Sequence, residues 1–290
     1  MTFHGEEGYI NLLRKILEEG VERDDRTGVG TLSLFGEQLR FNLDGQFPLL
    51  TTKKVFTKAI IHELLFFIKG STDSKILEKE NVNIWKWNTT REFLDDRNLT
   101  DYEEGDLGPM YGFNWRHFNA EYEGCDKDYT GAGLDQLQNV INEIKNNPDS
   151  RRLLITTFNP SVIEKSCLMP CHGISVQFYV NDGYLSCMMN QRSCDTMLGL
   201  PFNITSYAML TYMIAYICDL KPKELIISTG DTHIYTNHMN QVKEQITRKP
   251  FIFPQLKIKR NILNIEDFKY EDFEIIEYKC HPGIKTPMAV

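Results

Sequence analysis

The sequence predicts an α+β fold, and three observations carry that prediction. Residues 174–180 alternate, with Ile174, Val176, Phe178 and Val180 on one side and Ser175, Gln177 and Tyr179 on the other, the period of two of a strand. Asn181-Asp182-Gly183 supplies a tight-turn signal, and residues 184–189 run back as the partner strand of a hairpin. Elsewhere apolar residues recur at helical spacing, first as Ile10, Leu13 and Ile16-Leu17 within residues 9–19. With 290 residues, 41% of them hydrophobic, the chain can bury a substantial core. No internal repeat, low-complexity linker or second domain interrupts it, so one domain over residues 1–290 is expected.

After the first helix comes a glycine-containing loop, residues 24–30, and then an alternating strand over 31–43. A helix is expected over about 55–69. At about 100° per residue, Lys58, His62 and Lys69 cluster on one side of it, and Glu63 falls between Ala59 and Phe67 on the apolar face. A carboxylate there either sits at an edge and reaches water or is held in an apolar site, where its pKa rises and it is suited to proton transfer. Residues 83–106 are irregular and polar around Trp85 and Trp87, and residues 119–133 read as a solvated, charged insertion. Residues 134–145 form an amphipathic helix ended by Asn146-Asn147-Pro148, and an apolar strand follows over 153–158. Thr205 or Ser206 can cap a helix that runs to about residue 219 and is apolar nearly all round, hence buried. A strand over 225–229 and tail strands over 255–259 and 274–279 complete the chain.

Composition excludes some functions. The net charge of −8 and pI of about 5.5 argue against a nucleic-acid surface, so an anionic ligand would need arginines gathered locally. The most apolar helix-length segment, residues 207–218, is too short and too rich in Tyr and Thr to span a bilayer. The N-terminal residues are polar and unlike a signal peptide, and seven cysteines lack a framework spacing. Reduced thiols and a cytoplasmic location are therefore expected, with a nuclear pool compatible.

Chemistry points to the far end of the hairpin. With Asp182 and Gly183 as the loop residues, Cys171 falls opposite Cys194, and Arg192 opposite Gly173. A guanidinium beside a thiol stabilises the thiolate and lowers its pKa. A buried inert cysteine, or a Cys171–Cys194 disulfide, fits the same geometry. The surrounding residues add more. Gln191-Arg192-Ser193-Cys194-Asp195, Leu198-Gly199-Leu200-Pro201-Phe202-Asn203-Ile204 and Ser206-Tyr207-Ala208 closely resemble the nucleotide-binding core of the thymidylate synthase family. Pro170-Cys171-His172 is similar to that family's nucleophile segment, and the resemblance covers essentially the whole chain.

The resemblance implies a mixed, twisted sheet packed with helices, one sheet face forming a homodimer interface. It implies reductive methylation of dUMP to dTMP with 5,10-methylenetetrahydrofolate, which leaves as dihydrofolate. Cys171 would be the nucleophile, with His172 beside it. Glu63, in His-Glu-Leu-Leu, would move protons through ordered water, and Tyr111, in a glycine-bracketed segment, would lie near the pyrimidine. Asn203 would orient the base. Arg26, Arg192 and Ser193 would hold the phosphate, with Arg151 and Arg152 donated across the dimer. His233 and Tyr235 would bond the deoxyribose 3'-hydroxyl. Asp195, which the resemblance also places against the nucleotide, would meet the pterin with Gly199, Leu198, Phe202, Ile84 and Trp85. Lys53 would hold the folate tail, and the carboxylate of Val290 would help close the site.

Asp231, His233 and His238 can be read as metal ligands, but no further ligand stands at motif spacing, and the resemblance implies no metal. Two rival readings are a deoxypyrimidine-monophosphate hydroxymethylase and a catalytically silent, RNA-binding relative. Asn203 and Trp85 argue against the former, and intact Cys171, Glu63 and Arg192 against the latter. Members of the family bind RNA as a second activity, and nothing in this sequence assigns such a site. Phe66, Met169 and Asn190 depart from the family's usual residues.

Overall fold

The computed structural model describes residues 5–287. Its helices are α1 (Glu7–Glu19), α2 (Thr57–Ile68), α3 (Lys75–Lys79), α4 (Arg91–Asp96), α5 (Gly112–Arg116), α6 (Gln136–Asn146), α7 (Gly199–Ile217) and α8 (Met239–Gln245). The strands β1 (Val21–Arg23), β2 (Thr31–Asn42), β3 (Leu154–Ile155), β4 (Ser175–Asn181), β5 (Tyr184–Asp195) and β6 (Lys221–Tyr235) form one sheet in the order β1-β2-β6-β5-β4-β3. β7 (Gln255–Ile258) and β8 (Phe273–Ile276) pair separately. Neighbours in the large sheet are antiparallel except β5 and β6, which are parallel and joined by α7 as the crossover. The fold is the expected α+β class.

One face of the sheet is buried. Val176 and Phe178 of β4, Leu185, Cys187 and Met189 of β5, and Leu225 and Ile227 of β6 all point into the core. α7 lies in that core, with Ile204, Ala208, Met209, Leu210 and Met213 inaccessible, because its apolar residues leave no polar stripe to face water. The opposite sheet face is open, with Phe35 86%, Tyr179 64% and Leu154 48% exposed.

Several boundaries differ from expectation for identifiable reasons. α7 starts at Gly199, ahead of Thr205, since Asp195 Oδ1 accepts the N–H groups of Met197 and Leu198 and satisfies the incoming turn. Pro201 is tolerated in the first turn, where its missing N–H has no helical partner to lose. Thr205 is interior, its hydroxyl donating to the Pro48 carbonyl at 3.1 Å. β6 extends on both sides of the expected 225–229, so His233 and Tyr235 stand on a strand rather than a loop. The expected strand over 153–158 pairs only through Leu154 and Ile155. The irregular stretch 83–106 contains the short α4.

The hairpin pairs as expected from Asn181↔Tyr184 to Ser175↔Asn190. Asp182 and Gly183 both have positive φ, +48° and +77°, the primed turn that matches strand twist. Beyond Ser175 the register fails. Gly173 has φ +61°, and a Cβ there would lie 2.2 Å from the Tyr207 hydroxyl, so the chain bends around that ring. The Arg192 N–H then donates to the Cys171 carbonyl at 2.9 Å, which sets Cys171 beside Arg192 rather than opposite Cys194. All seven cysteines are free thiols, and no Cys171–Cys194 disulfide forms.

Candidate active site

Cys171 ends the bent segment before β4. Arg192, exposed at the end of β5, turns its guanidinium onto the residues just upstream: Nε donates to the Pro170 carbonyl and Nη2 to the Met169 carbonyl, both at 2.9 Å. The arginine thus fixes the nucleophile segment from outside. Only the Met169 carbonyl is used, so the unusual side chain at 169, 40% exposed, leaves that grip intact.

Tyr111 approaches from the other side. It caps α5 with φ +40° and ψ −104°, a strained conformation for a side-chain-bearing residue. Flanking glycines permit it, because a Cβ at Gly108 would lie 2.2 Å from the Lys165 carbonyl oxygen and one at Gly112 2.4 Å from the Phe67 carbonyl oxygen. The ring is sandwiched between Phe67 and His172, centroids 5.0 and 4.4 Å away. Its hydroxyl accepts the Cys171 N–H at 3.0 Å and lies 3.5 Å from Sγ.

These groups do not depress the cysteine pKa as the sequence suggests. Burial pushes the thiol above its ordinary value and outweighs the lowering pulls of the Tyr111 hydroxyl and the Arg192 cation. His172 is held neutral: burial drives its pKa down to about 3. Its Nδ1 lies 3.0 Å from the Tyr207 hydroxyl. Glu63 is buried on α2, and its pKa is lifted to about 7 by burial, against a hydrogen bond donated by Trp85 Nε1 to Oε1 at 2.8 Å. The inward-facing alternative holds. Trp85 also packs at 5.9 Å from the Tyr111 ring, so Glu63, Trp85, Tyr111, His172, Cys171 and Arg192 form one connected set.

A second group gathers at the start of α7. Asp195 pairs in register with His233 across the parallel strands. Leu198 and Gly199 adjoin Asp195 and are partly exposed, as are Phe202, Ile84 and Trp85, so apolar surfaces lie near both carboxylates. Asn203 is buried, yet its amide makes no hydrogen bond among the described residues, which leaves its donor and acceptor free. Ser193 is half-buried. Lys53 is buried; its ammonium donates to the Met197 carbonyl, and burial lowers its pKa to about 8. In this state its cation therefore faces inward.

Arg26 is exposed in the β1–β2 loop, which Thr236 clamps through Gly30 and Val29 beside Tyr235. Arg151 and Arg152 are exposed just before β3, at the other edge of the sheet. They are not brought to Cys171 within this chain. His233 Nδ1 bonds Asp231 at 3.0 Å, and the described residues contain no cluster of three metal-ligating side chains. Val290 lies outside the described residues. Phe66 is core and packs 5.9 Å from the Phe67 ring, and the Asn190 amide donates to Ser175 Oγ at 2.7 Å.

A cavity of about 530 Å³ lies between the end of α2 and residues 125–133, lined by Lys69, Arg116, His117 and Asp135, and it contains none of these groups. The sequence alone gave no role to Tyr207 and offered His238 only as a metal ligand. The signal for Tyr207 was available, since a tyrosine in a fully apolar helix must find a partner for its hydroxyl.

The thymidylate synthase family model matches residues 7–290. Thymidylate synthase of Homo sapiens is 54% identical over 287 residues, covering 99% of this chain and 91% of the human protein. That of Saccharomyces cerevisiae is 53% identical with both chains fully covered. The bifunctional dihydrofolate reductase-thymidylate synthase of Paramecium tetraurelia is 52% identical, and there the chain spans 62% of the relative's length. At this identity and coverage, the chain belongs to the thymidylate synthase family.

Proposed function

We propose that the protein converts dUMP and 5,10-methylenetetrahydrofolate into dTMP and dihydrofolate. The single observation that carries this is the assembly around Cys171: a thiol 3.5 Å from the Tyr111 hydroxyl, with a carboxyl of pKa about 7 joined to it through Trp85. Cys171 sulfur adds to C6 of the pyrimidine, which makes C5 nucleophilic. The folate supplies the one-carbon unit and then the hydride. Glu63 holds or releases a proton at neutral pH and serves the O4 edge of the base. Tyr111 stands where a proton leaves C5, and neutral His172 keeps Tyr111 stacked in place. The free amide of Asn203 pairs with O4 and N3. His233 and Tyr235 bond the ribose.

The apolar, partly exposed residues Ile84, Trp85, Leu198 and Phe202, with Gly199 and the carboxylate of Asp195, suit a flat ring that carries hydrogen-bond donors. Lys53 serves the folate tail once its bond to Met197 opens. Arg26, Arg192 and Ser193 hold the phosphate, and the partner's Arg151 and the partner's Arg152 complete the site in a homodimer. Their position at an exposed sheet edge beside an uncovered face supports that reading. The protein acts as one catalytic domain over residues 1–290, and its seven free thiols support a reducing, cytoplasmic-type compartment.

Incubation with 5-fluoro-dUMP and methylenetetrahydrofolate is the direct test. Fluorine cannot leave C5 as a cation, so the expected outcome is a stable covalent adduct mapping to Cys171 by intact mass and peptide analysis. A folded protein that gives no adduct overturns the assignment.

A further inference from the structure

Asp231 and His233 stand two residues apart on β6, and Asp231 Oδ1 lies 3.0 Å from His233 Nδ1. An ionised carboxylate only accepts, so Nδ1 carries the proton. In the neutral imidazole Nε2 is then a bare acceptor, and it makes no hydrogen bond among the described residues. The ring is fixed in place. The His233 carbonyl accepts the N–H and the hydroxyl of Thr196, at 3.0 and 2.8 Å, and the imidazole stands at 82° to the Tyr235 ring, centroids 5.1 Å apart.

The carboxylate has a second partner. Arg23, the last residue of β1, donates from Nη1 to Asp231 Oδ2 at 3.2 Å, which leaves Oδ1 for the imidazole. The Arg23 side chain is 59% exposed, so water screens this ion pair, and the directional bond to the buried His233 is the contact with consequences. Burial raises the Tyr235 phenol above its ordinary range, so it stays protonated and can donate. A sugar hydroxyl between the two rings has an oxygen that accepts and a proton to give. Tyr235 donates to that oxygen, and bare Nε2 takes that proton. With the proton on Nε2 instead, the hydroxyl would face two donors.

We propose that Asp231 is a positioning residue that holds the proton on His233 Nδ1 and so makes Nε2 the acceptor that recognises a free 3'-hydroxyl on the nucleotide. The site then selects nucleotides whose 3'-position can donate a hydrogen bond, since an analogue without that hydroxyl leaves Nε2 and the Tyr235 hydroxyl unpaired. This rests on the reading above that His233 and Tyr235 bond the ribose.

The test compares dUMP with 2',3'-dideoxyuridine 5'-monophosphate by calorimetry. Wild type should bind dUMP about tenfold more tightly or better, as for one hydrogen-bonded hydroxyl. In Asp231→Ala, dUMP affinity should fall about tenfold while affinity for the dideoxy analogue stays within about twofold, so the discrimination disappears. Arg23→Ala keeps the carboxylate and should keep the discrimination within about twofold. Equal losses for the two nucleotides in Asp231→Ala overturn the proposal, because a general disturbance of the site would weaken both. A loss of discrimination in Arg23→Ala matching that in Asp231→Ala also overturns it, by placing the effect in the ion pair. A wild type that binds both nucleotides alike defeats the reading of His233 as a sugar contact. Imidazole ¹⁵N spectra of the ligand-free wild type then still judge the tautomer, as they do if the variants fail to fold. Protonated Nδ1 with bare Nε2 is expected, and a proton on Nε2 overturns the role of Asp231.

Discussion

At the scale of single residues, Glu63 has a definite pH signature. Its folded pKa of about 7 lies above its ordinary value of 4.5. Between those values the native state binds more protons than the unfolded chain, so stability falls as pH rises through that window and stays lowered above it. The full effect is on the order of 3 kcal/mol. Glu63→Gln should therefore gain stability over wild type in urea denaturation at pH 8 and show little difference at pH 4. Turnover should fall by about 10²-fold or more, the usual contribution of a general acid–base. Equal urea midpoints at both pH values would show that the carboxyl is not held in an apolar site. Cys171→Ser should lose turnover beyond detection while dUMP affinity, measured by calorimetry, changes little. Retained activity would remove the nucleophile assignment.

At the scale of elements, two glycines of one hairpin separate strain from collision. Gly183 has φ +77° with open space at its Cβ position, whereas Gly173 has φ +61° and the Tyr207 hydroxyl 2.2 Å away. Gly183→Ala should cost about 1 kcal/mol of turn strain and leave activity nearly intact. Gly173→Ala must push the start of β4 off α7, and should cost about 3 kcal/mol or more and displace Cys171. Thermal midpoints compared with adduct yield would check both, and similar losses in the two variants would refute the close-packing account. The same logic applies where α1 meets residues 51–52. Buried Glu6 accepts the backbone N–H and hydroxyl of both Thr51 and Thr52. Glu6→Gln leaves donors facing donors and should destabilise by about 2 kcal/mol, read by chemical denaturation.

At the scale of the molecule, the open sheet face and the stranded arginines belong to one question. Phe35, Tyr179 and Leu154 expose apolar surface on the face that α7 does not cover, and Arg151 and Arg152 stand at its edge. Sedimentation should give a particle of about twice 33.7 kDa. Mixing inactive Cys171→Ser with a protein carrying Arg151→Ala and Arg152→Ala should restore activity as subunits exchange, because one site of the mixed dimer is intact. A monomer, or no restoration on exchange, would argue that each chain supplies its own phosphate site.

The sequence by itself determined the elements and the identity of the chemical groups. Alternation in residues 174–189 sets the hairpin and its turn, because side chains on a strand must face opposite sides, and the apolar surface of residues 199–217 commits that helix to the core. The local motifs around Cys171 and Asn203 made the family legible. Tertiary structure decided what local pattern cannot encode. The two-residue slip at Gly173 depends on Tyr207, thirty-four positions away, and it exchanges Cys194 for Arg192 as the neighbour of Cys171. The sign of the Cys171 shift depends on how much water the fold removes, a quantity set by packing from several elements, and burial overrides a nearby cation. The inward turn of Lys53 likewise depends on the Met197 carbonyl, 144 positions away in the chain.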